Sequence, residues 1–264
     1  LVDARLRAVP LPAYPGARPA TLTDAYAVQD AAIALWPDNV CGWKIGLVPQ
    51  EHRAAYGAER IAGPIFRDQL RFADNGETIE LPVFAGGFAA VEAEFILRMG
   101  RDAPAGARAW RAEEAAELVD ALHVGVECAS SPLALINDLG PAVTASDFGN
   151  NAGLIVGPEI ADWRDRPWAS LTAATFIDGQ LAGSGAASLI PGGPFAALAF
   201  ILEHCAARGR PLTSGQWIST GATTGVHAIK PGQSAHIDFG VYGQIRCTMV
   251  KALGDRAQNA LAAG

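Results

Sequence analysis

The sequence predicts an α+β fold built mainly of short strands, with a few helices. Residues 91–98 alternate: Val91, Ala93, Phe95 and Leu97 on one side, Glu92, Glu94, Ile96 and Arg98 on the other. That period of two marks a strand with one buried face. Across residues 42–97, apolar runs of two to four residues are broken repeatedly by Gly and Pro, the texture of strands and their connections. Helical signals are confined to a few places, the clearest a stretch that opens at Pro194.

Taken in order, residues 1–20 carry Pro10, Pro12, Pro15 and Pro19 and read as a connector. Thr21 and Thr23 offer caps for a helix over 24–36. Residues 1–40 are therefore expected to form an N-terminal helical segment and 41–264 a β-rich domain, with one continuous domain as the other possibility. Lys44-Ile45-Gly46-Leu47, Ile65-Phe66 and Ile79-Glu80-Leu81-Pro82 read as strands. Residues 111–123 are expected to be helical, 124–128 a strand, and 152–156 a further strand ending at Gly157-Pro158. A strand over 171–177 meets Asp178-Gly179, a strong hairpin signal. The helix over 194–208 has Pro194 in its first turn, Leu198, Ile201, Leu202 and Cys205 along one stripe, and Gly209 as its stop. Short strands over 217–220, 236–239 and 244–249 complete the chain, and no internal repeat is present.

With 264 residues, 50% of them hydrophobic and only 18% charged, the chain can bury a large core without disulfides. A net charge of -7 and the lack of any long Lys/Arg run argue against nucleic acid as a partner. An anionic ligand would then need a bound cation or a few placed basic groups to offset the background charge. Cys41, Cys128, Cys205 and Cys247 are scattered without a zinc-site spacing and fit a reducing, cytoplasmic setting. No signal peptide and no membrane-spanning run are expected.

Glu92 and Glu94 are the pair to explain. Residues i and i+2 of a strand share a face about 7 Å apart, so two Glu side chains there can converge on one ion. The plainer alternative is the wet face of an edge strand. Glu127 adds weight, because it interrupts the apolar run Val124-Gly125-Val126-Glu127-Cys128, where a carboxylate needs a partner: a metal ion, Lys44 or an Arg. Three carboxylates at one point repel, and a divalent cation holds them ionised; ligation by oxygen alone favours Mg²⁺ or Mn²⁺ over zinc. Lys44 is itself unusual in an apolar strand and suits an anionic substrate, with a structural pair to Glu127 or Asp68 as the alternative. The loop Thr220-Gly221-Ala222-Thr223-Thr224-Gly225 and the run Gly183-Ser184-Gly185-Ala186-Ala187 are glycine-rich, and neither has dinucleotide-binding spacing. His52, His123, His227 and His236 are read as structural or surface residues.

The run Gly42-Trp43-Lys44-Ile45-Gly46-Leu47, the run Val91-Glu92-Ala93-Glu94-Phe95, Glu127 and Ser219-Thr220-Gly221, in that order along nearly the whole chain, resemble the hydratase and decarboxylase branch of the fumarylacetoacetate hydrolase superfamily. The resemblance implies a mixed, mainly β roll or distorted barrel behind N-terminal helices, usually assembled as a homo-oligomer. It implies Glu92, Glu94 and Glu127 as ligands of Mg²⁺ or Mn²⁺, and Lys44 as an active-site lysine. Thr220 and Gly221 join Lys44 as substrate-binding candidates chiefly on this ground, while Asp68 and Asp147 stand with Lys44 as candidates for moving a proton or placing water. The chain departs from the family pattern at Ile61-Ala62-Gly63-Pro64, where an acid is absent, at Asp147-Phe148 in place of an Asp-Asn pair, and at Gly192-Gly193-Pro194 in place of Gly-His-Pro.

The activity the resemblance implies is that of a lyase on a small anionic 2-oxo acid, within the breakdown of aromatic compounds. Hydration of a 2-hydroxydienoate such as 2-hydroxypenta-2,4-dienoate is the first expectation, and decarboxylation of a 4-oxalocrotonate-type acid is the alternative. A carbon–carbon hydrolase would need a His–Glu pair to activate water, and the adjacent Glu51-His52 would point apart on a strand. A catalytically silent binding protein is disfavoured by the presence of all three carboxylates together with Lys44.

Overall fold

The structure, a computed structural model, describes residues 1–73, 76–106 and 108–254. Two helices come first, α1 (Val2–Leu6) and α2 (Leu22–Leu35). Thr21 caps α2: its hydroxyl accepts from the Asp24 N–H at 3.1 Å, and the Asp24 carboxylate accepts from the Thr21 N–H at 3.2 Å. Then follow β1 (Val40–Leu47), α3 (Gln50–Tyr56), β2 (Arg60–Phe66), β3 (Leu70–Phe72), β4 (Thr78–Val83), β5 (Phe88–Met99), α4 (Ala112–Ala116), β6 (Val119–Ser131) and α5 (Pro141–Ser146). The rest is β7 (Asn151–Glu159), β8 (Thr172–Ile177), β9 (Gln180–Ala186), α6 (Gly193–Ala207), β10 (Trp217–Ser219), β11 (His227–Ala228), β12 (Ser234–Asp238) and β13 (Gln244–Lys251).

The strands form two sheets. The eight-stranded one runs β2-β1-β10-β5-β6-β7-β3, with β11 also paired to β5, and the five-stranded one runs β4-β13-β12-β8-β9. Pairing is mixed, since β1–β10, β3–β7 and β4–β13 are parallel and the remaining pairs antiparallel. This is the mixed α+β fold expected from the sequence, a curled, open half-barrel behind N-terminal helices. The main core lies between the sheets, where Phe95 of β5 meets Phe239 edge-on at 5.7 Å. Helix α6 adds Leu198, Ile201, Leu202 and Cys205 to it, each apolar burial contributing about 1.5–3 kcal/mol for the larger side chains. At the β8–β9 turn Asp178 and Gly179 both have positive φ, 48° and 78°, as a type I′ hairpin requires. No described helix is long and apolar enough to cross a membrane.

Four local expectations are corrected. Residues 111–123 hold only the short α4, and β6 begins at Val119, because it pairs with β5 almost from end to end. The strand expected over 152–156 continues through Gly157 and Pro158 to Glu159. The segment 1–20 is more than a connector: α1 places Arg5, only 4% exposed, inside the protein. Strand β5, read as half-buried, is central in its sheet and buried on both faces over most of its length, so its two glutamates do not face open water.

Candidate functional site

The register of four strands assembles the site. On β5 Glu92 and Glu94 share a face, and Glu92 lies directly across from Glu127 on β6. On the other side β10 separates β5 from β1, with Ser219 paired to Ile96 of β5 and to Lys44 of β1. Residues paired across a ladder point to the same face, so Lys44, Ser219, Glu94, Glu92 and Glu127 all project from one side of the larger sheet.

Each of the three glutamates offers a carboxylate oxygen within 4.8 Å of the other two. Glu94 and Glu127 are 0% exposed and Glu92 is 6% exposed. One oxygen of Glu94 is already occupied: its Oε2 accepts from Ser219 Oγ at 2.5 Å and from the Gly221 N–H at 2.8 Å. Glu127 Oε1 accepts from Asn151 Nδ2 at 3.1 Å and faces Lys44 Nζ at 3.2 Å. The second oxygens, Glu94 Oε1 and Glu127 Oε2, are buried with no hydrogen-bond partner among the described residues. Two buried, donorless carboxylate oxygens beside a third carboxylate form a donor set that fits a divalent cation.

Electrostatics point the same way. Burial, then the charge of Glu127, push the Glu92 carboxyl up to about 8 against the pull of Lys44. Burial also raises Glu94 well above the usual range, with Glu127 and Glu92 adding to it and the donors Ser219 and Gly221 opposing. For Lys44, burial works against the ammonium, but Glu127, Glu92 and Glu94 together outweigh it and raise its pKa. A carboxyl whose pKa is raised on folding makes the native state bind more protons than the unfolded chain. Its contribution favours folding below the ordinary value of 4.5 and turns unfavourable as pH climbs from there through about 8. Glu92→Gln should therefore raise the melting temperature of metal-free protein by a few degrees at pH 8.5 and by much less at pH 5. Equal effects at both pH values would contradict this account.

The cluster opens on a cleft of about 430 Å³ whose walls include Lys44, Leu47, Ile61, Glu92, Asn137, Thr144, Asn150 and Val226. Two of these were not apparent in the sequence. Asn150 accepts from Lys44 Nζ at 3.4 Å and donates through Nδ2 to Asn137 Oδ1 at 3.1 Å. It reaches the cleft because Phe148, Gly149 and Asn150 are all left-handed, with φ of 57°, 61° and 58°. A non-glycine residue there is strained, least so for Asn. Gly63 accommodates this turn, since a Cβ on it would lie 1.9 Å from the Phe148 carbonyl oxygen. The signal available in sequence was the run Gly149-Asn150-Asn151, residue types that tolerate positive φ.

The remaining candidates are distributed differently. Lys44 forms the ion pair with Glu127 that was its structural alternative, and it also lines the cleft. Gly221, at φ +123°, holds Glu94 through its N–H, and the Thr220 hydroxyl donates to the Phe95 carbonyl at 2.7 Å. The loop they begin still lines the cleft, through Ala222, Gly225 and Val226. Asp68 is exposed and borders a separate cleft with Trp36 and Arg71. Asp147 is 1% exposed and is held by Arg5 and by Ser131 Oγ, so neither aspartate is brought to the carboxylate cluster. Glu51 and His52 lie on α3, a helix where a strand was expected. Gly183 and Gly185 are packing residues: a Cβ on either would run into the Thr224 or Thr223 carbonyl of the cleft loop.

No protein-family model matches the chain. A 2-oxo-hept-4-ene-1,7-dioate hydratase of Escherichia coli is 28% identical over 243 residues, 87% of each protein. Among solved structures, 4-oxalocrotonate decarboxylase from Pseudomonas putida G7, complexed with calcium and acetate, superposes with a TM-score of 0.72 at 20% identity, covering 87% of this chain and 86% of that one. A fumarylpyruvate hydrolase from Pseudomonas aeruginosa, in complex with Mn²⁺ and pyruvate, gives 0.59 at 15% identity over 80% and 89%.

Proposed function

We propose that the chain belongs to the fumarylacetoacetate hydrolase superfamily, on its hydratase and decarboxylase branch, and that it is a Mg²⁺- or Mn²⁺-dependent lyase that decarboxylates a short unsaturated 2-oxo acid of the 4-oxalocrotonate type. The observation that carries the reading is the convergence of Glu92, Glu94 and Glu127 beside Lys44 at the foot of a small cleft. These three glutamates would hold the cation. When bound, a divalent cation supplies a Lewis acid for the ketone and carboxylate oxygens of a 2-oxo acid.

The protein's own groups supply the rest. Lys44 has three N–H donors, of which Glu127 and Asn150 face two, leaving one for an anionic oxygen of the substrate. The cleft is walled also by Leu47, Pro49, Ile61, Pro141 and Val226, and apart from Glu92 the described residues that line it include no Asp, Glu or His. Hydration needs a group that activates water at the distal carbon, and that wall offers none. Loss of a carboxylate needs the opposite, a poorly hydrated surface that does not stabilise the anion. In such a step the bond to the far carboxylate breaks, CO₂ leaves, and the bonding pair moves through the alkene to the 2-oxo oxygen, which takes up a proton. The overall likeness to the decarboxylase fold supports the same choice, while the Escherichia coli relative keeps hydration as the second reading.

The test is incubation of the protein and Mg²⁺ with 4-oxalocrotonate and, separately, with 2-hydroxypenta-2,4-dienoate, read by trapped CO₂ and product mass. Release of CO₂ from the first, abolished by chelator and restored by Mg²⁺, is expected. Addition of water to the second, with no CO₂ from the first, would establish the hydratase instead.

A further inference from the structure

We infer that Asn137 is a specificity-determining residue that reads an acceptor oxygen, a carboxylate, at the end of the substrate remote from the 2-oxo group. The inference rests on the 2-oxo acid reading of the cleft and adds to it what the far end recognises. It follows from the direction of a hydrogen-bond chain. A lysine ammonium only donates, so the atom that Asn150 turns to Lys44 Nζ is its oxygen. The Asn150 amide nitrogen must then face away, and it does, donating to Asn137 Oδ1. The Thr144 hydroxyl lies 3.5 Å from that same oxygen. Asn137 is thereby fixed with its oxygen inward, and its Nδ2 is a donor at the cleft that meets no acceptor among the described residues.

Lys44 thus sets the polarity of a donor two hydrogen bonds away on exposed Asn137, in a cleft whose other walls include the apolar Leu47, Ile61 and Val226. That donor is uncharged. Among the described residues Lys44 is the only Lys or Arg lining the cleft, and it is already paired with Glu127. A neutral amide orients a carboxylate without the strong ground-state stabilisation of a salt bridge, which suits a group that has to depart.

Two saturated probes separate recognition from turnover: 2-oxoadipate, which has the second carboxylate, and 2-oxohexanoate, which lacks it. Binding of each to the Mg²⁺-loaded protein is measured by calorimetry for wild type, Asn137→Ala and Asn137→Asp. Wild type should prefer 2-oxoadipate by about tenfold or more, the scale of a hydrogen bond to a charged group. Asn137→Ala should erase the preference. Asn137→Asp retains an acceptor for Asn150 Nδ2 and should reverse the preference by like-charge repulsion, with melting temperatures confirming that both variants fold. An unaltered ratio in folded variants, or no preference in wild type, overturns the inference while the 2-oxo acid reading stands. Failure of both probes to bind wild type in Mg²⁺ overturns that reading and this inference with it.

Discussion

Glu94→Gln should leave the protein folded and lower metal-stimulated turnover on the order of 10³-fold, the equivalent of the several kcal/mol that a Lewis acid supplies. The substitution is informative because the two carboxylate oxygens of Glu94 have different duties. Oε2 accepts from Ser219 and Gly221, and a glutamine oxygen can take over both bonds. Oε1 is the buried, donorless atom, and the glutamine amide would set N–H donors in its place, aimed where a cation would sit. The native-state contacts survive, like-charge repulsion with Glu92 and Glu127 is relieved, and only the affinity for a cation is lost. The melting temperature of metal-free protein should hold or rise while Mn²⁺ affinity, read by calorimetry, falls at least a hundredfold. Unchanged Mn²⁺ affinity would place the cation elsewhere.

Much of this site was legible because its residues contradict their surroundings. Glu92 and Glu94 share a strand face by periodicity, and Glu127 breaks an otherwise apolar run, so three charges in apolar strands pointed to one chemistry. What the sequence does not encode locally is register. That Glu92 faces Glu127, and that Ser219 lies between Lys44 and β5, follows from which strands pair and how they are offset. The same pairing extended β6 back to Val119, overriding the helical reading of 111–123. Asn137 and Asn150 were hidden for another reason. Asparagine is common in turns, and only the left-handed run at 148–150 turns one of them toward Lys44. Asp147 was singled out by its likeness to a family motif, and the partner that accounts for it lies 142 positions away in a segment read as a connector.

That partner carries the second large effect: Arg5→Ala should destabilise the protein by about 3–5 kcal/mol, the usual penalty for removing one member of a buried ion pair. Arg5 and Asp147 side chains are each 1% exposed. The guanidinium is bidentate on the carboxylate, Nε to Oδ1 at 2.7 Å and Nη2 to Oδ2 at 2.9 Å, and it also donates to the carbonyls of Ser130, Asp147 and Asn151. Removing it leaves Asp147 with Ser131 Oγ as its remaining side-chain donor and takes one donor from each of three buried carbonyls, of which that of Asp147 keeps the Asn150 N–H. Lysine cannot reproduce the fork, so Arg5→Lys should recover only part of the loss. The consequence should reach the site, because Asp147 immediately precedes the left-handed turn that presents Asn150, and Asn151, whose carbonyl Arg5 holds, donates its side-chain amide to Glu127. Urea unfolding of wild type, Arg5→Ala and Arg5→Lys measures the first effect. Mn²⁺ affinity of Arg5→Lys, under conditions where it is fully folded, measures the second, and should fall about 10- to 100-fold as expected for groups that orient a ligand. A loss of stability under 1 kcal/mol in Arg5→Ala would mean that the N-terminal helix is dispensable to the fold, and unchanged Mn²⁺ affinity in Arg5→Lys that the clamp on Asp147 does not extend to Glu127.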